Sequence, residues 1–76
     1  MMRRLGTVSK TAQGLAVIQC DAADPPDVGA EVVDESLTRV GRVVDVFGPV
    51  DGPYVAVATD DRIDLVDLVG EKLYLR

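Results

Sequence analysis

Residues 41–54 read Gly41-Arg42-Val43-Val44-Asp45-Val46-Phe47-Gly48-Pro49-Val50-Asp51-Gly52-Pro53-Tyr54. Val43, Val44, Val46 and Phe47 form an apolar run of residue types that fit a pleated surface. Gly48-Pro49 stops that run, because proline cannot donate to a strand ladder. A second breaker pair, Gly52-Pro53, precedes the apolar stretch Tyr54 to Ala58. Two strands joined by a stiff, shaped, apolar corner are expected. No nucleophile, proton donor or phosphate cradle accompanies it, so the corner suggests a surface that grips another protein.

The rest of the chain extends this β pattern. Seven valines lie between Val40 and Val57, which fits strands better than helices. Arg3 to Ser9 alternates, with Leu5 and Thr7 opposite Gly6 and Val8, and reads as a first strand. Gln13-Gly14 is a turn before a buried second strand at Leu15 to Cys20. Asp21 to Asp27 reads as a loop held extended by Pro25-Pro26. Short strands follow at Glu31 to Asp34, Val40 to Phe47, Tyr54 to Ala58 and Lys72 to Leu75. Asp60 to Asp67 is compatible with a loop or with one helical turn. Short strands with frequent turn signals point to a small closed barrel or a sandwich in one domain, residues 1–76.

Seventy-six residues lie near the lower limit for independent folding. A marginal fold of this size gains stability from a bound partner. The charge is informative: ten Asp and three Glu face six Arg and two Lys, for a net charge of −5. Acidic surfaces poor in lysine suit concentrated salt, where self-repulsion is screened, and point to a salt-in archaeal host. Phosphate contacts need Lys and Arg, which cluster only at Arg3-Arg4 and Arg39–Arg42. Strong direct binding of RNA or DNA is not expected. The N-terminus lacks the apolar stretch of a secretory signal, and no segment has the length of a membrane span, so a cytoplasmic location is expected.

Catalytic chemistry is sparse. The chain has no histidine and one cysteine, Cys20, which excludes Cys/His zinc spacings and an internal disulfide. Ser9 and Ser36 are not in a nucleophile-elbow context, and the glycines form no dinucleotide or P-loop pattern. On a helical turn Asp60, Asp64 and Asp67 would share a face, but they lack Ca²⁺-loop spacing and read as a solvated acidic surface. Asp45 reads as an outward carboxylate in an ion pair with Arg42 or Arg39, or in a local hydrogen bond. Neither an enzyme nor a cofactor is implied.

Simple alternation puts Val40, Arg42, Val44 and Val46 on one face of the fourth strand and Val43, Asp45 and Phe47 on the other. Large apolar groups then occupy both faces; either this chain covers both, or one outer face is left for a partner, which is the favoured reading for so short a chain. The expected contact residues are Val44, Val46, Phe47, Gly48, Pro49, Val50, Pro53 and Tyr54. The competing reading makes Phe47 and Tyr54 core residues, with Gly-Pro merely turning the hairpin.

Three stretches carry a family resemblance. Val28-Gly29-Ala30-Glu31-Val32-Val33-Asp34, Arg39 to Val50 and Pro53-Tyr54-Val55-Ala56-Val57 resemble the Gar-type small subunit of archaeal H/ACA ribonucleoproteins. Leu68-Val69-Gly70-Glu71-Lys72-Leu73-Tyr74 is similar to that family's closing segment, and Leu5-Gly6-Thr7-Val8 to its opening strand. The resemblance implies a six-stranded closed β-barrel of the translation-factor and reductase type. It also implies a non-catalytic subunit that docks on the pseudouridine synthase catalytic subunit and supports substrate loading and turnover in rRNA pseudouridylation and ribosome biogenesis. No Gly/Arg-rich tail precedes Arg76, so guide and substrate RNA are expected to be met only indirectly, through the complex.

Two rivals accompany this reading. Scaffold barrels of ribosome-maturation factors share the Gly-x-Val-x-Asp-Val pattern but lack the Gly-Pro-Val-x-x-Pro-Tyr sequel. A small RNA-binding barrel would need a basic groove with stacking aromatics, and one Phe with two Tyr on an acidic chain supplies little of either.

Overall fold

The computed structural model describes residues 3–20 and 25–76. Six strands, β1 (Arg3–Ala12), β2 (Leu15–Cys20), β3 (Glu31–Val33), β4 (Arg39–Phe47), β5 (Tyr54–Thr59) and β6 (Lys72–Leu75), close into a barrel. Their order around it is β1-β2-β5-β4-β3-β6, and every pairing is antiparallel. Closure decides between the barrel and sandwich expected from the strand pattern. Four residues of the loop expected at Asp21 to Asp27 lie outside the described residues.

A helix, α1 (Leu65–Leu68), lies between β5 and β6. Asp64 caps it, with Oδ1 accepting from the Val66 N–H at 3.1 Å. Asp60 lies before the helix, and its carboxylate forms ion pairs with the Arg39 guanidinium (Nε at 3.7 Å) and the Arg62 guanidinium (Nη2 at 3.9 Å). The shared helical face of Asp60, Asp64 and Asp67 does not form, because the helix starts only after its Asp64 cap. No group of three potential metal ligands occurs among the described residues. The Leu68 side chain joins the barrel core, with Ile63 and Leu65 packed against it.

Leu5, Val8, Ile18, Val32, Val40, Val43, Val55, Val57 and Leu73 are fully buried in the interior. Two pairs of these residues contradict strict alternation, Leu5 with Val8 and Val40 with Val43. Leu5 and Val8 both face inward, because the β1–β6 register shifts between Arg4 and Gly6. Further shifts fall at Val8/Lys10, at Val32/Val33 opposite Arg39 and Gly41, and at Val43/Asp45. All four involve β1 or β4, the two longest strands. A bulge adds one residue, bends the strand and raises its twist, which a small barrel needs at its corners.

The shift at Val44 corrects the reading of β4. Val43 pairs with Val57, Asp45 with Ala56, Val46 with Val55 and Phe47 with Tyr54. Directly paired residues share a face, so Val43 and Val46 point in with Val57 and Val55. Asp45 and Phe47 point out. Val44 is the extra residue and is half-buried, and Val46 packs against the core. From Arg42 to Phe47 the strand is thus an ordinary inside-outside strand with one residue inserted at Val44.

Gly41 shows how tightly β4 approaches β5. A Cβ built there would lie 2.0 Å from the Ala58 carbonyl oxygen, a rigid backbone atom. Gly41→Ala should therefore cost about 3 kcal/mol, the upper end of overpacking penalties, measured by urea unfolding. Gly52 meets nothing within 4 Å, so Gly52→Ala should stay within about 0.5 kcal/mol of the parent.

Candidate functional site

The corner between β4 and β5 is built by short-range chemistry. Gly48 adopts φ +94°, a left-handed conformation that costs an L side chain about 1–2 kcal/mol. A Cβ there would also lie 3.1 Å from Cδ2 of the Tyr54 ring. The Gly52 N–H donates to the Pro49 carbonyl at 3.2 Å, closing one turn over Pro49-Val50-Asp51-Gly52. The Cys20 N–H donates to the Pro53 carbonyl at 3.0 Å and ties the return limb to the end of β2.

Val50 stands at the tip of this turn and is 97% exposed. Phe47, 44% exposed, is no core residue; it pairs across the strands with the half-buried Tyr54. Their rings stack with centroids 5.8 Å apart and planes inclined by 27°. Such a pair contributes about 0.5–1.5 kcal/mol beyond its area burial. Pro49 is exposed and Pro53 half-buried beside them.

Of the eight residues expected at the contact, Phe47, Gly48, Pro49, Val50, Pro53 and Tyr54 form one contiguous corner. Val46 departs from it, because the bulge turns its side chain toward the core. Val44 is the bulge residue itself. The Asp45 carboxylate makes the local hydrogen bond expected as one of its options, accepting from the Val46 N–H at 2.9 Å. Its partner is the backbone next door rather than an arginine.

Sequence reasoning missed the groove beside the ring pair. Ser9, Lys10, Val17 and Gln19 line it with Phe47 and Tyr54, and its volume is about 270 Å³. The pairings Lys10–Val17, Val17–Ala56 and Gln19–Tyr54 bring these residues together from three strands. The outward positions of Val17 and Gln19 follow alternation in β2, but their place beside Tyr54 depends on β2 lying next to β5. Other large apolar side chains are exposed at Val28, Leu37, Val66 and Val69. The 47–54 corner differs from them in joining a stacked ring pair, a stiff turn and a groove.

Comparison with known proteins gives the chain its family. The family model described as the Gar1/Naf1 RNA binding region matches residues 2–76. The chain belongs to the Gar1/Naf1 family. A protein of Methanothermobacter thermautotrophicus without an assigned role is 31% identical over 78 aligned positions, covering 97% of this chain and 83% of that protein. The H/ACA ribonucleoprotein complex subunit GAR1 of Encephalitozoon cuniculi is also 31% identical, over 92% of this chain but only 38% of its own length. This chain therefore spans well under half of that GAR1 protein. The solved Gar1 domain of Naf1 superposes with a TM-score of 0.78 over 99% of this chain and 82% of its own, at 19% identity. That superposition extends the family likeness to the barrel itself.

The Gly48 conformation makes a sharp test of the corner. Gly48→Ala should lower stability by about 1–2 kcal/mol. For a domain of this size that corresponds to a fall in Tm of roughly 4–8 °C per kcal/mol in a thermal melt.

Proposed function

We propose that this Gar1/Naf1-family chain is a non-catalytic protein subunit of an H/ACA ribonucleoprotein. In this reading it binds the pseudouridine synthase catalytic subunit and supports substrate loading and turnover in rRNA pseudouridylation. The observation that carries the proposal is the Phe47–Tyr54 corner, where a family-like sequence holds Val50 97% exposed on a hydrogen-bonded turn. A solitary globule gains nothing from a valine in water; burying one in a partner contributes about 1.5–3 kcal/mol of transfer free energy. Phe47, Pro49, Val50 and Tyr54 together supply enough apolar surface to offset association costs.

Phe47, Gly48, Pro49, Val50, Pro53 and Tyr54 form the proposed contact, with Val44 at its margin and Val46 supporting it from the core side. Stiffness favours binding here, because a turn already closed loses little freedom on docking. Guide and substrate RNA are met through the complex. In this reading the chain contributes positioning rather than chemistry.

Direct RNA binding is the second reading, favoured by the description of the matching family model. The net charge of −5 weighs against it, since phosphate neutralisation by Lys and Arg supplies most of that affinity. Titrating RNA with and without the synthase separates the two readings. The adaptor reading expects binding only when the synthase is present. Val50→Asp should keep the parent circular dichroism spectrum while weakening synthase binding about tenfold or more, or about 1.4 kcal/mol. Equal affinity of this variant and the parent would remove the corner from the interface.

A further inference from the structure

The docking corner carries a knob and a groove that suit each other. Along the strand axis, Val50 stands beyond the end of β4, and the Phe47–Tyr54 pair closes that end. Gln19 lies level with Tyr54, and Val17 is one outward step further back, opposite Ala56. The groove lined by Ser9, Lys10, Val17, Gln19 and the two rings therefore opens on the side of the rings away from Val50. Its volume of about 270 Å³ admits a valine side chain. Knob, rings and groove thus follow one another in a row on one outer face.

A two-fold axis through the ring pair exchanges the ends of this row. It sets Val50 of one copy over the groove of the other, and the reverse, which is the isologous contact of closed dimers. The exposed rings of both copies then meet at the centre, where aromatic residues are enriched in interfaces. Asp51 follows Val50 in the turn and Lys10 borders the groove, so the same rotation brings the acid of each copy toward the base of the other. Exposed ion pairs contribute little to affinity. They favour this orientation, and the apolar fit holds it.

Resting on the docking reading above, we propose that a second copy of this chain covers the corner when the synthase subunit is absent, so that self-pairing and synthase docking exclude each other. One turn and one groove per copy make a small contact of the transient class, which the synthase can displace. Salt acts on it in the sense opposite to a charge-driven contact. Two chains of net charge −5 repel, and concentrated salt screens that repulsion while leaving apolar burial in place. The acidic composition is therefore compatible with pairing in concentrated salt.

Sedimentation equilibrium of the full chain from about 1 μM to about 1 mM, where weak contacts become populated, should show monomer and dimer in exchange. Raising salt from about 0.15 M to about 1 M should tighten the dimer about threefold. Val50→Asp and Gln19→Arg, each keeping the parent circular dichroism spectrum, should weaken pairing about tenfold or more. Gln19→Arg lays a charged chain across the groove and changes the net charge from −5 to −4, which by itself would favour association. Val66→Asp, at an exposed valine on α1, should pair like the parent. Added synthase subunit should convert the dimer into a complex holding one copy of this chain. A parent that stays monomeric throughout would overturn the inference while leaving the docking reading intact. A dimer indifferent to both Val50→Asp and Gln19→Arg, or a synthase complex that retains two copies, would overturn it in the same way. A dimeric parent that forms no synthase complex would overturn the docking reading, and the mutual exclusion with it.

Discussion

Closing six short strands around a core of branched aliphatic side chains sets the terms for everything else in this molecule. The interior is narrow, and Leu5, Ile18, Val43, Val57 and Leu73 fill it. To turn the sheet through a full circle, β1 and β4 must bend sharply, and each does so through two register shifts. The close approach of Gly41 to Ala58 serves the same closure. Remove any of these and the barrel must open or flatten, exposing paired backbone and the core behind it.

The corner is a by-product of this geometry. The insertion at Val44 reverses the phase of the strand that follows, so Val46 enters the core and Phe47 emerges beside Tyr54. Without the extra residue Phe47 would be pushed toward the interior. The bulge thus converts a packing necessity into an outward aromatic pair. The turn from Pro49 to Gly52 then carries Val50 beyond that pair into solvent.

Much of this architecture is readable from the residues alone, and the division follows range along the chain. β2 and β6 run between the residues that alternation and breakers indicate, Leu15 to Cys20 and Lys72 to Leu75. The other strands differ by a few residues at their ends; β1 continues past Ser9 to Ala12. Gly48, Pro49 and Gly52 announce the corner because turn chemistry is local. Bulges leave no such mark, since a period-two pattern with one residue inserted looks like apolar residues on both faces. That misplaced Val46 and put Leu5 with Thr7. The groove at Val17 and Gln19 requires the β2–β5 pairing, a long-range contact with no local signature. Barrel closure through the β1–β6 and β3–β6 pairs is likewise non-local, so the family likeness indicated it where strand signals left a sandwich open.

The tether from the Cys20 amide to the Pro53 carbonyl has a further thermodynamic meaning. A loop anchored at its base and closed across its tip resembles a moulded key more than a flexible finger. In the proposed docking, association through it should register in calorimetry chiefly as a negative heat-capacity change from dehydrated hydrocarbon. The large opposing entropy of a segment that folds as it binds should be missing from the same experiment.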